Sequence, residues 1–260
     1  MQAMRQISND IAHDLRTPLT RLRQRLDLAQ RKATTVAELR ASVEGAIAET
    51  DAILATFGAL LRIAQIESGA IRAGFAECDL SDLLRTVVEV YQPMADDKRQ
   101  NLSAAIAPGL EIFGDRELLA QMLANLLENA IRHCPPGADI RLVADRCDTG
   151  GIGVTLSDTG PGIPPTEYQN VFRRFYRLEP SRTTPGNGLG LSLVAAIAGL
   201  HGISVAFADN EPGLKVIMKL PGAAADEHRQ HASDAQLRTR PTPRAAPDDN
   251  PWVRVPRRRH

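Results

Sequence analysis

Two stretches near the start of the chain repeat apolar residues at steps of three and four. Met4, Ile7, Ile11, Leu15, Pro18, Leu22, Leu26 and Ala29 form one stripe. Leu39, Val43, Ala46, Thr50, Ile53, Phe57, Leu60 and Ala64 form a second, whose strict four-three alternation is the seam of a helix packed in a bundle. The polar link near 33–36 is short, so the two helices are expected to run antiparallel as a hairpin. Two helices alone enclose no core. Dimerisation into a four-helix bundle is the economical solution, and folding back onto a second domain is the alternative.

After Ser68-Gly69 the period changes. The pattern predicts a strand near 71–76, a helix over 81–97, strands near 101–106 and 110–113, and a helix over 116–133 capped by Asp115. Strands near 139–145 and 151–157 follow, then a long Gly/Pro/Arg-rich loop over 158–187, a helix, and closing strands near 203–208 and 215–220. Mixed helices and strands with sequential hairpins predict an α+β sandwich, helices on one face of the sheet. A loop of that length between ordered elements reads as a functional lid. Beyond Pro221-Gly222 the chain is rich in Pro and Arg and poor in large apolar residues, the composition of a disordered tail. The expected division is 1–69, a helical hairpin; 70–222, the sandwich; and 223–260, the tail.

Composition removes several functions. With 31 basic and 31 acidic residues the formal charge is zero, so no global field draws the chain to nucleic acid or anionic membrane. Aromatics at 4% are too few for a platform that stacks single-stranded bases. Cys78, Cys134 and Cys147 lie far apart and form no CxxC pair, which fits a reducing compartment and neither a disulfide framework nor a zinc site. Residues 186–208 carry no Asp, Glu, Lys or Arg. Breaks at Gly186-Asn187-Gly188 and His201-Gly202 leave a helix of about a dozen residues between them, whereas a span needs about 20. A buried core helix is the better reading.

Four clusters carry chemistry. In Ile11-Ala12-His13-Asp14-Leu15-Arg16-Thr17-Pro18-Leu19, His13 points off the apolar stripe toward solvent. A neutral imidazole is a competent nucleophile, and Asp14 can take a proton from one ring nitrogen while the other attacks. A lone surface His is ordinarily inert. Pro18, however, frees the carbonyl of Asp14 and kinks a strong helix, a cost that implies a purpose. Thr17 lies one turn past His13, where its hydroxyl either holds a water or bonds the His13 carbonyl. Asn125 and Asn129, at i and i+4, present hard amide oxygens on one helical face, suited to Mg²⁺; alone they would pass for surface residues. Asp158-Thr159-Gly160-Pro161-Gly162 sets an acceptor-only carboxylate beside glycines, fit to take a hydrogen bond from an exocyclic amine. Gly186-Asn187-Gly188-Leu189-Gly190 opens a helix whose free N–H groups suit a phosphate. It is neither a dinucleotide fingerprint nor a GxxxxGK[ST] loop.

The order of the clusters resembles that of the histidine protein kinases, over roughly residues 3–221. HDLRTPL around His13 resembles their phosphoacceptor motif, QMLANLLENAIRH the N box, DTGPGI the G1 box, FRRFYR the F box and GNGLGLSLV the G2 box. The resemblance implies a Bergerat-type ATP-binding sandwich, shared with gyrase-like ATPases, behind a dimerisation and phosphotransfer hairpin. It implies that Asn129 ligates Mg²⁺ with support from Asn125. Asp158 would read the adenine amino group in a pocket shaped by Gly160 and Gly162. Arg132 and Arg177 would face phosphates, and Gly186, Gly188, Leu189 and Gly190 would let the lid close. His133 stands where many relatives stack a Tyr on adenine. The implied activity is ATP-dependent phosphorylation of His13 in a homodimer. The phosphoryl group would pass to an Asp of a response-regulator receiver domain, with phosphatase activity toward that regulator through Thr17. The rival is an ATP-hydrolysing conformational machine of the same fold, but such ATPases carry a Glu where this chain has Asn125. A non-catalytic dimerising scaffold is the third reading. Relatives usually carry a sensor and membrane spans ahead of the hairpin. The chain is therefore expected to be the cytoplasmic part of a parent held in the inner membrane.

Overall fold

The computed structural model describes residues 19–20, 22–24, 26–31, 35–67, 74–148, 150–178 and 188–221. His13, Asp14, Thr17, Gly186, the proposed tail and the first half of the first stripe lie outside the described residues. Helical backbone at 19–20, 22–24 and 26–31 precedes α1 (Val36–Glu67). Thr35 and Glu38 close its N-terminus reciprocally: the Glu38 N–H donates to Thr35 Oγ1 at 3.2 Å, and the Thr35 N–H donates to Glu38 Oε2 at 3.3 Å.

The expected seam on α1 is only partly covered within this chain. Ala46 and Leu60 are buried, whereas Leu39, Val43 and Phe57 remain exposed. Ile63 and Ile66, off the predicted stripe, are buried in the core of the second half instead. The last turns of α1 pack on the helix Gly190–His201, and Arg62 reaches Glu117 at 3.7 Å.

The second half is a two-layer α+β sandwich. Its elements are β1 (Ala76–Asp79), α2 (Leu80–Asp97), β2 (Asn101–Ile106), β3 (Glu111–Gly114), α3 (Arg116–His133), β4 (Asp139–Arg146), β5 (Ile152–Asp158), α4 (Gly190–His201), β6 (Ser204–Asp209) and β7 (Leu214–Leu220). The main sheet runs β2-β4-β5-β7-β6. Its strands alternate buried and open positions, so Ile140, Leu142 and Ala144 of β4 and Val154 and Leu156 of β5 point to one face. The helices cover that face with Leu83, Leu84, Met122, Leu127, Ile131, Val194 and Ile197.

The topology corrects the expectation of sequential hairpins. β4–β5 and β6–β7 are antiparallel, but β2 pairs with β4 in parallel, and β3 turns back to pair with β1 in a separate two-stranded ribbon. A parallel pair needs a crossover, and α3 supplies it between β2 and β4. Of the strand expected near 71–76, residues 71–73 lie outside the described set, 74–75 are not strand, and β1 starts at Ala76. The long loop is not structureless. Short 3₁₀ turns at Pro165–Glu167 and Asn170–Phe172 anchor it, with the Phe172 ring stacked on Phe207 at 4.8 Å. α4 has 12 residues, and among the described residues no helix is long and apolar enough to cross a membrane.

Candidate nucleotide-binding site

α3 sets one side of the site. Asp115 caps it by accepting from the N–H groups of Glu117 (3.0 Å) and Leu118 (3.1 Å). Its apolar positions then turn to the sheet, which leaves Gln121, Asn125, Glu128 and Asn129 on the half-open opposite face. Asn125 Nδ2 donates to the Gln121 carbonyl at 2.9 Å, and this turns Oδ1 toward the start of α4. A Cβ placed on Gly190 would lie 3.5 Å from Asn125 Oδ1 and 3.8 Å from Asn129 Nδ2. Both asparagines thus converge on the first turn of α4, whose N-cap, Leu189, provides no side-chain hydrogen bond. Helix N-terminal N–H groups facing two neutral amides make a cradle for an anion and a hard cation together.

Gly188 forms the edge of this cradle. At φ 66° it takes a conformation glycine tolerates, and a Cβ there would sit 2.8 Å from the Phe175 backbone. Phe175, itself at φ 61°, donates its N–H to the Gly188 carbonyl at 2.8 Å. Phe175 and Gly188 are held together there.

Asp158 ends β5 and is 7% exposed. Its Oδ1 accepts from the N–H groups of Gly160 (2.9 Å) and Leu214 (3.2 Å), and its carbonyl accepts from Asn210 Nδ2 at 2.8 Å. Gly213, at φ 117°, presses on the same residue: a Cβ there would fall 1.8 Å from the Asp158 carbonyl oxygen. Gly162, at φ 70°, packs against the Gly213 carbonyl. An open cleft of about 530 Å³ beside Gly162, Ile163, Pro212 and Gly213 includes neither asparagine. Converging side chains, rather than that cleft, define the site.

His133 joins the two halves, one turn past Asn129 on α3. It is exposed by area, yet its ring is crowded enough that desolvation, chiefly, lowers its pKa; the positive charges of Arg132, Lys98 and Arg177 push the same way, against Asp158. Arg132, Lys98 and Arg177 are thus all near enough to disfavour its protonation. Arg132 also approaches Glu128 at 3.9 Å, and Glu128 accepts from the Tyr91 hydroxyl at 2.6 Å.

Asn125, Asn129, Gly188, Leu189 and Gly190 form one group, and Asp158, Gly160, Gly162, His133, Arg132 and Arg177 the other. Gly213, Asn210, Leu214, Cys134 and Gln100 were not among the candidates read from sequence. The string Asn210-Glu211-Pro212-Gly213 is legible as a turn, but nothing in it points to Asp158.

Residues 3–69 match the His Kinase A (phospho-acceptor) domain, and residues 114–224 match the histidine kinase-, DNA gyrase B-, and HSP90-like ATPase family. The chain is 33% identical over 228 residues to the signal transduction histidine-protein kinase/phosphatase MprB of Mycolicibacterium smegmatis, covering 82% of this chain and 45% of that protein. It spans a little under half the length of such relatives. A solved structure of mycobacterial sensor histidine kinase MprB is 30% identical, with TM-score 0.50, over 57% of this chain and 97% of that one. The histidine kinase AdeS of Acinetobacter baumannii shares the fold over 81% of this chain and 98% of its own, with TM-score 0.68 at 19% identity. The chain belongs to the sensor histidine kinases of two-component systems.

Proposed function

We propose that the chain binds ATP between α3, the Asp158 turn and the start of α4, and transfers the γ-phosphoryl group to His13 within a homodimer formed by the helical hairpin. The carrying observation is the convergence of Asn125 and Asn129 on the first turn of α4, with a buried carboxylate at the far end of the same helix face. The Asp158 carboxylate accepts from the adenine amino group in the pocket of Gly160 and Gly162, and His133 stacks on the base. Arg132 and Arg177 meet the phosphates, and Gly186, Gly188, Leu189 and Gly190 bring the lid backbone to them.

One ring nitrogen of His13 attacks the γ-phosphorus. The bond to the β,γ-bridging oxygen breaks, ADP leaves with that electron pair, and Asp14 takes the proton from the other ring nitrogen. The Asn129 and Asn125 amides suit Mg²⁺, which when bound neutralises phosphate charge. The phosphoryl group then passes to an Asp of a response-regulator receiver domain. Thr17 holds a water for the reverse task, removal of phosphate from that regulator. The whole parent would sit in the inner membrane with this part in the cytoplasm, beside ATP and the regulator. A conformational ATPase would need a proton acceptor at 125, and Asn125 offers only an amide.

Radiolabelled ATP tests the reading. Label on the purified chain should be acid-labile, base-stable and absent from His13→Gln. Label retained in that variant would move the acceptor elsewhere.

A further inference from the structure

Glu128 stands one residue before Asn129 and nearly one turn past Asn125, on the half-open face of α3. Tyr91 of α2, packed half-buried against the core, donates its hydroxyl to Glu128 Oε1 at 2.6 Å. Burial first, then the hydrogen bond and charge of Glu128, raise the pKa of that hydroxyl, so it stays a donor across the working range. The other carboxylate oxygen, Oε2, faces Arg132 Nη2 at 3.9 Å, one turn further along α3. The side chains of Arg132 and Glu128 are 36% and 39% exposed, and such a pair ordinarily contributes little, because ordering two long side chains offsets their attraction. Here the hydroxyl of Tyr91 has already ordered the carboxylate, which leaves only Arg132 with freedom to lose.

The main chain beneath Arg132 is held as well. Lys98, the C-cap of α2, donates from Nζ to the carbonyls of Ile131 (2.9 Å) and Arg132 (3.3 Å). Gln100 Nε2 donates to the carbonyls of Ile131 (3.0 Å) and Cys134 (2.7 Å). Arg132 is therefore gripped through its backbone by Lys98 and through its guanidinium by Glu128. A guanidinium carries five N–H groups, so contact through Nη2 leaves another edge for a second anion.

Resting on the ATP-binding reading above, we infer that Glu128, fixed by Tyr91, is a positioning residue for nucleotide binding: it holds the Arg132 guanidinium toward the phosphate groups. Its action falls on the phosphate end alone, so it bears on ligands that carry phosphates and spares the nucleoside. The sign of the effect is distinctive. A carboxylate that merely lay near a triphosphate would repel it, and removing the charge would tighten binding. A carboxylate that orients Arg132 does the reverse.

The test titrates ATP and adenosine by displacement of a fluorescent nucleotide from the chain and from Glu128→Gln, Tyr91→Phe and Arg132→Gln, with melting temperatures alongside. Glu128→Gln keeps an acceptor for Tyr91 but loses the charge, whereas Tyr91→Phe keeps the charge but frees the carboxylate. Loss of an oriented ion pair of this exposure corresponds to about fivefold in affinity. Glu128→Gln and Tyr91→Phe should each bind ATP about fivefold more weakly, with adenosine unchanged, and neither should weaken ATP further in the Arg132→Gln background. Wild-type or tighter ATP binding in either variant would overturn the inference. So would parallel losses for ATP and adenosine, or losses that persist in the Arg132→Gln background, because either marks a merely structural role. Should Glu128→Gln melt early, Tyr91→Phe decides. If the unaltered chain binds no ATP, the proposed function falls and takes this inference with it. Normal binding by the unaltered chain with insensitive variants sinks the inference alone.

Discussion

Gly213→Ala isolates the contact between the β6–β7 turn and the Asp158 turn. At φ 117° an L side chain is strained, a cost of about 1–3 kcal/mol. The added Cβ would also lie 1.8 Å from the Asp158 carbonyl oxygen and 2.6 Å from its carbon. Both are backbone atoms, so no rotamer change relieves the overlap and the turns must separate. Separation puts at risk the Leu214 N–H bond to Asp158 Oδ1 and the Asn210 bond to the Asp158 carbonyl, at about 1 kcal/mol each. The sum is about 3–5 kcal/mol, or roughly 10–15 °C in melting temperature for a unit of this size. Gly109→Ala is the control, since Gly109 has φ 70° but nothing within 4 Å of a Cβ. It should cost about 1 kcal/mol, a few degrees. Thermal unfolding followed by circular dichroism, with ATP-analogue binding on the same samples, compares the two. Gly213→Ala should bind nucleotide far more weakly and Gly109→Ala normally. Equal melting temperatures would show that the overlap relaxes freely, and the claim that this turn fixes Asp158 would fail.

Asn129→Ala should reduce autophosphorylation by about a hundredfold or more while the dimer persists, checked by labelling and light scattering; wild-type rates at limiting Mg²⁺ would make the pair a surface feature. Thr17→Ala should keep labelling of His13 but lose phosphatase activity toward the phosphorylated regulator, and a parallel change in both would end that role. Because the pKa of His133 is lowered in the folded chain, its contribution to stability is present above about 6.5, the ordinary imidazole value, and is lost as pH falls. The stability difference between the chain and His133→Phe should therefore be flat above neutrality and turn against the chain toward pH about 5, and a flat difference down to that pH would refute the crowding of the ring.

Local signals carried much of the fold. Asp115 followed by apolar steps of three and four marked α3 from its cap to His133, and alternation marked β4 and β5 to within a residue. Pairing was not legible. Alternation says which face of a strand is buried, not which strand lies beside it, so β2 beside β4 and β3 beside β1 emerge only from the packed molecule. The same limit separates the candidate site residues legible in the sequence from the neighbours that were not. Asn125 and Asn129 declare themselves by spacing on one helix, and Asp158, Gly160 and Gly162 by adjacency. Gln100, Asn210 and Gly213 bear on Asp158 or on the end of α3 from elsewhere in the chain, and an amide or a turn glycine carries no local mark of its target. On α1 the heptad seam is apolar, but its Leu39, Val43 and Phe57 stay exposed while Ile63 and Ile66, off that seam, are buried in the sandwich core, a choice of face that spacing alone does not reveal.

The two ends of the site differ in kind. At one end the Asp158 carboxylate is taken almost wholly out of water, which is tolerable only because N–H groups from Gly160 and Leu214 replace its hydration. Those donors come from two separate segments, so the acceptor is fixed before any ligand arrives and little ordering remains to oppose binding. At the phosphate end the groups are neutral amides, helix N–H groups and long basic side chains on the borders of the lid. Partners of that sort gain most from the charge they meet, and on the proposed reading a triphosphate adds counter-charge beside Arg132, Lys98 and Arg177. On the proposed ATP-binding reading, an acceptor fixed in advance for the base and a phosphate cradle that gains most from the ligand's own charge make the γ-phosphate the part of ATP best placed to act on the lid. The same reading makes it the group transferred to His13.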